Sequence, residues 1–205
     1  MSLEHNTSLD HHTPLGRITL LRHGETAWSK SGQHTGRTDI PLTPAGEDAA
    51  RAVAGHLPTN PALVLVSPLS RAQETAQLAG LTDLVTDADL LEWDYGDWEG
   101  LTTPQIRQSL SDPSWLIWDH EIPNGEQLDE VRARVQRVID RCMPYVQEGQ
   151  DVILAAHGHV LRILTATWLG LAPIDGRLFA LEPARISSLG FEHEQRVITE
   201  WNALR

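Results

Sequence analysis

The sequence predicts an α/β fold, a three-layer α/β/α sandwich around a mostly parallel central sheet. Three observations carry that expectation. Short apolar runs rich in β-branched residues occur at 17–21 (RITLL), 63–66 (LVLV) and 152–156 (VILAA), each of the length of a buried strand. Each run is followed along the chain by a segment with a helix-start signal and apolar residues at helical spacing. Strand and helix therefore alternate, as parallel pairing through helical crossovers demands. At 205 residues the chain is long enough to bury one sizeable core, so one domain is expected over 17–205. Residues 1–16 are polar, lack the apolar run of a secretory signal and read as a flexible tail.

Gly16 bounds the first strand on one side, and Arg22-His23-Gly24 ends it on the other. Thr43 followed by Pro44 supplies an N-cap with proline at the first helical position, and Ala49, Ala50, Val53, Ala54 and Leu57 recur at helical spacing behind it. Ser67-Pro68 closes the second strand and turns into a helix carrying Arg71 through Leu78. The acidic, aromatic segment 90–100 (LLEWDYGDWEG) has no clean period and reads as a loop, after which Thr103-Pro104 restarts a short helix. Val131, Val135, Val138, Ile139 and Cys142 share one face of a helix from about Leu128 to Tyr145. His157-Gly158 ends the third strand before an apolar helix that runs to about Leu169, and alternation between Arg185 and Trp201 points to two further strands. Segments 58–61 and 112–125 read as loops within the domain rather than as boundaries.

The formal net charge of -12 argues against a general nucleic-acid or anionic-membrane surface, because both partners need a basic patch to displace counterions. An anionic substrate must then be held by local positive charge. The single cysteine, Cys142, allows no intramolecular disulfide and fits a reducing compartment, so a cytoplasmic location is expected. No apolar stretch approaches the length of a membrane span. His11-His12 in the tail lack further ligands at metal-binding spacing, and neither a metal nor a cofactor is expected.

In sheets of this kind ligands bind beyond the carboxyl ends of the strands. Arg22-His23 and His157 each follow a strand directly, so they should converge on one crevice. A metal-free cleaver of phosphate esters needs a nucleophile, positive donors around the phosphoryl oxygens and an acid for the leaving oxygen. His23 offers a neutral ring nitrogen, Arg22 and Arg71 offer forked, always-charged donors, and His157 is placed to donate to the same oxygens. A carboxyl in the 90–100 loop, sheltered by Trp93, Tyr95 and Trp98, would stay protonated and could serve as the acid. On spacing alone Glu92, Asp94, Asp97 and Glu99 compete for that role. Taken singly each residue has an ordinary role too: a turn histidine, a solvated surface arginine, a loop charge.

It is the joint pattern that points to chemistry: R-H-G-E-T at 22–26, S-P-L-S-R-A-Q-E-T-A at 67–76 and A-H-G-H at 156–159. With these motifs in this order, the chain from about Arg17 to Trp201 resembles the histidine phosphatase, or phosphoglycerate-mutase-like, superfamily. The resemblance implies that His23 is the phosphorylated nucleophile and that Arg22, Arg71 and His157 complete a phosphate pocket. It also selects Glu92 as proton donor, from the L-x-E-x-x-x-G context of Leu90 to Gly96, and sets Ser29, Thr35, Gly36, Tyr95, Gly158 and His159 against the substrate.

Two subgroups within branch 1 of that superfamily compete. Cofactor-dependent phosphoglycerate mutases share Thr35-Gly36, Glu92 and Tyr95. The chain departs from them in having Ser29 for a usual Asn, Thr103 for a substrate-binding Lys, His159 for an Asn, and no insertion with paired arginines before Gly125-Glu126. The segments 28–36 and 92–100, with Trp115 and Trp118, resemble instead phosphatases similar to sedoheptulose-1,7-bisphosphatase. This implies a sugar phosphate or bisphosphate as the small-molecule partner, with Lys30, His34 and Arg37 as candidate contacts to a second phosphate; the clustered tryptophans near Glu92 read as core, as pocket wall or as a homodimer contact. Arg162, on an apolar helix, reads as structural. A non-catalytic phosphate-binding domain is the remaining alternative, although no pocket residue is missing.

Overall fold

The computed structural model describes residues 15–203. Six strands, β1 (Ile18–Arg22), β2 (Leu63–Val66), β3 (Val85–Thr86), β4 (Val152–Ala156), β5 (Ile186–Glu192) and β6 (Gln195–Ala203), form one sheet in the order β3-β2-β4-β1-β5-β6. The pairs β3-β2, β2-β4 and β4-β1 are parallel, whereas β5 runs antiparallel to β1 and pairs with β6 as a hairpin. The helices are α1 (Ala27–Ser31), α2 (Pro44–Ala52), α3 (Ser70–Leu78), α4 (Thr103–Leu110), α5 (Leu128–Gln147) and α6 (Gly158–Trp168). The sheet is thus mixed and mostly parallel, as the alternation of strand and helix predicts.

Because successive strand residues face opposite sides, the three central strands divide their apolar side chains between two cores. Ile18, Leu20, Leu65, Val152 and Leu154 pack with Val131, Val135, Val138 and Ile139 of α5 and with Val160, Leu161 and Leu164 of α6. Leu21, Val64, Val66, Ile153 and Ala155 pack on the other face with Ala72 and Ala76 of α3 and with Val53 and Leu57 after α2. Every residue of β4 is buried. That is why it lacks the polar alternation of a half-exposed strand.

The expected N-terminal tail lies outside the described residues as far as residue 14. Gly16, placed in that tail by the sequence, is docked: its amide donates to the Val146 carbonyl at 2.9 Å, and any side chain there would collide with the Gln150 backbone. Two elements lack a sequence expectation. Helix α1 is a single turn held by a capping box in which Thr26 and Ser29 exchange backbone and side-chain bonds, too short to display a helical period. Strand β3 has two residues, both exposed, so it has no apolar pattern to read. The long helix α5 extends two residues past Tyr145, carrying Pro144 in its last turn.

Two close approaches set the entry to the crevice. A Cβ on Gly24 would stand 2.5 Å from the Gly46 carbonyl oxygen, so the turn after β1 presses on the first turn of α2. A Cβ on Gly158 would lie 3.2 Å from Cζ of Arg22, so α6 can begin directly beside that guanidinium.

Leu154, wholly buried in the central strand, is a direct measure of this packing. Leu154→Ala is expected to lower unfolding stability by about 2–5 kcal/mol, read as a fall in the urea midpoint at unchanged slope. A loss well under 1 kcal/mol would contradict the core described.

Candidate active site

Parallel pairing aligns Arg22 of β1 with Ala156 of β4. The next residues, His23 and His157, therefore leave the sheet side by side, with ring centroids 5.1 Å apart. The crevice above them has a volume of about 180 Å³ and is lined by Arg22, His23, Ser29, Thr35, Glu92, Tyr95, Gly158 and His159, together with Gly32, Gln33, His34 and Arg162. A larger hollow of about 620 Å³ lies between segments 57–64 and 79–85. Asp83 is its only ionisable lining residue, so the smaller crevice, with its convergent polar groups, is the candidate site.

His23 is 5 % exposed, and its Nδ1 lies 2.7 Å from the Gly24 carbonyl oxygen. Burial, then the charges of Arg22 and Arg71, push its pKa well below 6.5. The ring is therefore neutral, and its one proton sits on Nδ1, where only an acceptor faces it. Nε2 is left with its lone pair.

His157 has no exposed surface and is also held neutral, by burial first and by Arg71 and His23 next. Here the partners reverse the tautomer. Arg71 Nε donates to Nδ1 at 3.2 Å, so Nε2 carries the proton and donates to Ser67 Oγ at 2.7 Å. Both nitrogens of His157 are thus occupied, whereas the sequence reading has it donating to substrate.

Arg71 is likewise drawn inward: its Nη1 donates to the Thr38 carbonyl at 2.9 Å and its Nη2 to Gly36 at 3.0 Å. The structure places Arg71 and His157 behind the crevice wall rather than on it. Arg22 differs, since its Nη1 donates to the Leu181 carbonyl while its buried Nε has no hydrogen-bond partner. Burial lowers its pKa, with Glu92 the chief opposing influence.

Glu92, 4 % exposed, rests on the amino end of α6. Its Oε1 accepts from Val160 N at 2.8 Å and Trp93 N at 3.0 Å, and its Oε2 from His159 N at 3.0 Å. The contacts that hold this carboxyl are three peptide N–H groups, not the aromatic rings the sequence suggests. Of about four acceptor positions on a carboxylate, one remains for a proton. The rival acids are engaged elsewhere: Glu99 with the amides of Gly36 and Thr38, Asp97 with Asn124, and Asp94 with Gly96 N and Arg37.

The substrate-facing set is divided. Ser29 lines the crevice, although its Oγ also completes the α1 cap on Thr26. Gly36 does not line it, and its amide donates to Glu99. Burial raises the Tyr95 pKa well above 10, so its hydroxyl stays protonated and shares a hydrogen bond with Nδ1 of His159. Burial holds His159 well below 6.5 and lowers His34 to about 4.

His34 therefore lines the crevice as a neutral ring. Lys30 and Arg37, the other candidate contacts to a second phosphate, pair instead with Glu25 at 3.5 Å and with Asp94 and Glu126 at 3.6 Å. No tryptophan lines the crevice; Trp118 and Trp93 back the His159 ring at 4.9 and 6.1 Å. Arg162, read as structural, does line it, while its Nε and Nη2 are held by the carbonyls of Gly176 and Arg177. Among the described residues no group of three or more His, Cys, Asp or Glu is placed to hold a metal ion, and no helix is long and apolar enough to cross a membrane.

The family model for the histidine phosphatase superfamily, branch 1, matches residues 18–204. The chain belongs to that family. It is a phosphomonoesterase of the histidine phosphatase type. It is 42% identical over 183 residues to an acid phosphatase of Mycobacterium tuberculosis, covering 88% of this chain and 89% of the relative. It is 38% identical over 184 residues to sedoheptulose 1,7-bisphosphatase of Saccharomyces cerevisiae, covering 76% and 68%. A solved structure of an open reading frame product from Mycobacterium tuberculosis superposes with a TM-score of 0.85 at 40% identity, covering 91% of this chain and 97% of that one.

Four neutral histidines in one histidine phosphatase site have a consequence for stability. His23, His157 and His159 are held well below 6.5 and His34 at about 4, whereas in the unfolded chain each titrates near 6.5. The unfolded state thus binds more protons as pH falls below 6.5, and stability is full above that pH and declines toward the folded values. Each fully neutral histidine contributes about 1.4 kcal/mol per pH unit in that window. Urea unfolding at pH 7 and pH 5 is expected to show a clear loss at pH 5; equal stabilities would refute the buried neutral rings.

Proposed function

We propose that this histidine phosphatase hydrolyses a small sugar phosphate or bisphosphate through phosphorylation of Nε2 of His23. The observation that carries the reading is the tautomer of His23: a neutral ring whose one proton, on Nδ1, is donated to the Gly24 carbonyl, which leaves the lone pair on Nε2. Beside it, the unpartnered Nε of Arg22 supplies a buried cationic donor for a phosphoryl oxygen.

In the first step Nε2 attacks phosphorus and the ester P–O bond breaks. The Glu92 carboxyl gives its proton to the departing oxygen, which leaves as an alcohol. Positive charge that develops on the imidazole is stabilised by the Gly24 carbonyl at Nδ1. In the second step the Glu92 carboxylate takes a proton from water as the water oxygen bonds to phosphorus. The P–N bond breaks, inorganic phosphate forms and His23 returns neutral. Arg71 contributes by holding His157 and the 35–38 carbonyls, and by its charge beside His23.

The choice of a sugar over a phosphoglycerate rests on the rest of the crevice lining. Ser29, Gln33, His34, Thr35, Tyr95 and His159 line it, groups that suit hydroxyls. The one guanidinium there besides Arg22 is Arg162, already committed to two carbonyls, and His34 is uncharged. A carboxylate would find little fixed charge, whereas the second phosphate of a bisphosphate would have to draw Lys30 or Arg37 from its carboxylate partners. The name of the yeast relative, a sugar bisphosphatase, supports the same class.

His23→Ala is expected to abolish phosphate release, and Glu92→Gln to slow alkyl phosphates roughly 100- to 10,000-fold while sparing aryl phosphates, whose leaving groups need little protonation. Substantial turnover by His23→Ala, or equal losses on both ester types in Glu92→Gln, would contradict these roles. Partition between water and acceptor separates hydrolase from mutase. A sugar bisphosphate should release phosphate at least about tenfold faster, a barrier difference of roughly 1.4 kcal/mol, than 3-phosphoglycerate is isomerised with 2,3-bisphosphoglycerate primer. Faster isomerisation would restore the mutase.

A further inference from the structure

We propose that Arg134 is the positioning residue for Glu92, a side chain that touches no substrate but holds the acid-bearing peptide in register with α6; this rests on the reading of Glu92 as general acid. Residues 91 and 92 lie between two short 3-10 turns, Ala88–Leu90 and Gly96–Trp98. Their carbonyls therefore belong to no strand or helix ladder and depend on other donors. Arg134 supplies them from α5. Its Nη1 donates to the carbonyls of Asp89 at 2.8 Å and Leu91 at 2.6 Å, and its Nη2 to Glu92 itself at 3.2 Å. The residue is 5 % exposed.

The same guanidinium grips the Glu126 carboxylate at both oxygens, Nε to Oε1 at 2.6 Å and Nη2 to Oε2 at 2.9 Å. Glu126 in turn holds the far side of Glu92. Its amide donates to the Asp94 carbonyl at 3.0 Å and its carbonyl accepts the Trp93 indole N–H at 2.6 Å. The backbone from 89 to 94 is thus fastened on both sides of one residue, by a fork whose spacing suits a planar guanidinium and not an ammonium. Glu92 then reaches three amides with both oxygens, which fixes where its remaining acceptor position lies. Removing the fork leaves the carbonyls of residues 89, 91 and 92 to find new donors and leaves the half-buried Glu126 carboxylate with Arg37 as its remaining cation, and the peptide carrying Glu92 is free to shift.

The test measures kcat/KM, which reports transfer to His23, over a series of phosphomonoesters from nitrophenyl to simple alkyl leaving groups. Arg134→Lys, Arg134→Gln, Glu92→Gln and the Arg134→Lys/Glu92→Gln pair are compared at matched folded fraction, checked by circular dichroism melting. Arg134→Lys and Arg134→Gln are expected to lose roughly 10- to 100-fold on alkyl esters, the scale of a small misplacement, while aryl esters change by less than about threefold on the same reasoning. In the Glu92→Gln background Arg134→Lys should add no further loss on alkyl esters. If Arg134→Gln does not fold, Arg134→Lys decides alone. Equal losses on every leaving group, an unchanged alkyl rate, or additive losses in the pair would overturn the positioning role. A Glu92→Gln enzyme without leaving-group dependence would instead show that the acid assignment beneath it is wrong.

Discussion

The parallel pairing of β1 with β4 is the constraint on which the site depends. Adjacent strands lie about 4.8 Å apart, and the register that sets Arg22 opposite Ala156 brings two histidines from residues 134 positions apart into ring contact. The His23 amide also donates to the Ala156 carbonyl at 2.9 Å, carrying the pairing one step past the end of the strand. A one-residue slip would turn every β4 side chain to the opposite face, exchanging the two cores and separating the rings. The buried apolar residues on both faces of β4 therefore enforce the geometry of the site.

Once both rings are buried among cations, neutrality follows, and a neutral imidazole has one proton to place. Gly24 accepts from His23 at Nδ1; Arg71 donates to His157 at the same atom. Two chemically identical side chains thus present opposite tautomers a few ångströms apart, and only His23 is left with a lone pair on Nε2. Thr75 connects the two arrangements, accepting from the Gly24 amide at 2.9 Å and donating to the Arg71 carbonyl at 2.6 Å.

Guanidinium groups are costly to bury unless their donors are met, and Arg22, Arg71 and Arg134 meet that demand differently. Arg71 spends its fork on loop carbonyls and His157, and Arg134 spends its own on loop carbonyls and Glu126. Arg22 alone among them keeps a buried donor without a partner. In the proposed reaction this divides the labour: Arg22 meets the phosphoryl group, while the other two hold the histidine and the acid from behind.

The central strands, the helices that cover them and the R-H-G and H-G motifs were legible because each depends on local pattern: apolar runs, caps and residue order. The family match over 18–204 agrees with that reading, and β2 and β4 have the bounds their apolar runs suggest. The single-turn α1 and two-residue β3 were not legible, being shorter than any period. Nor was the allocation of side chains: spacing could not rank Glu92 above Asp94, Asp97 and Glu99, could not retire Lys30, Arg37 and Gly36 from the substrate wall, and did not mark Arg134 or the crevice face of Arg162. By itself, then, the sequence determined the fold class, the family and the two histidines at the ends of neighbouring strands. Only the tertiary structure decided which atoms of those residues face the crevice, because a hydrogen-bonding group takes the partner nearest to it in space, and those partners come from loops and helices distant in the chain.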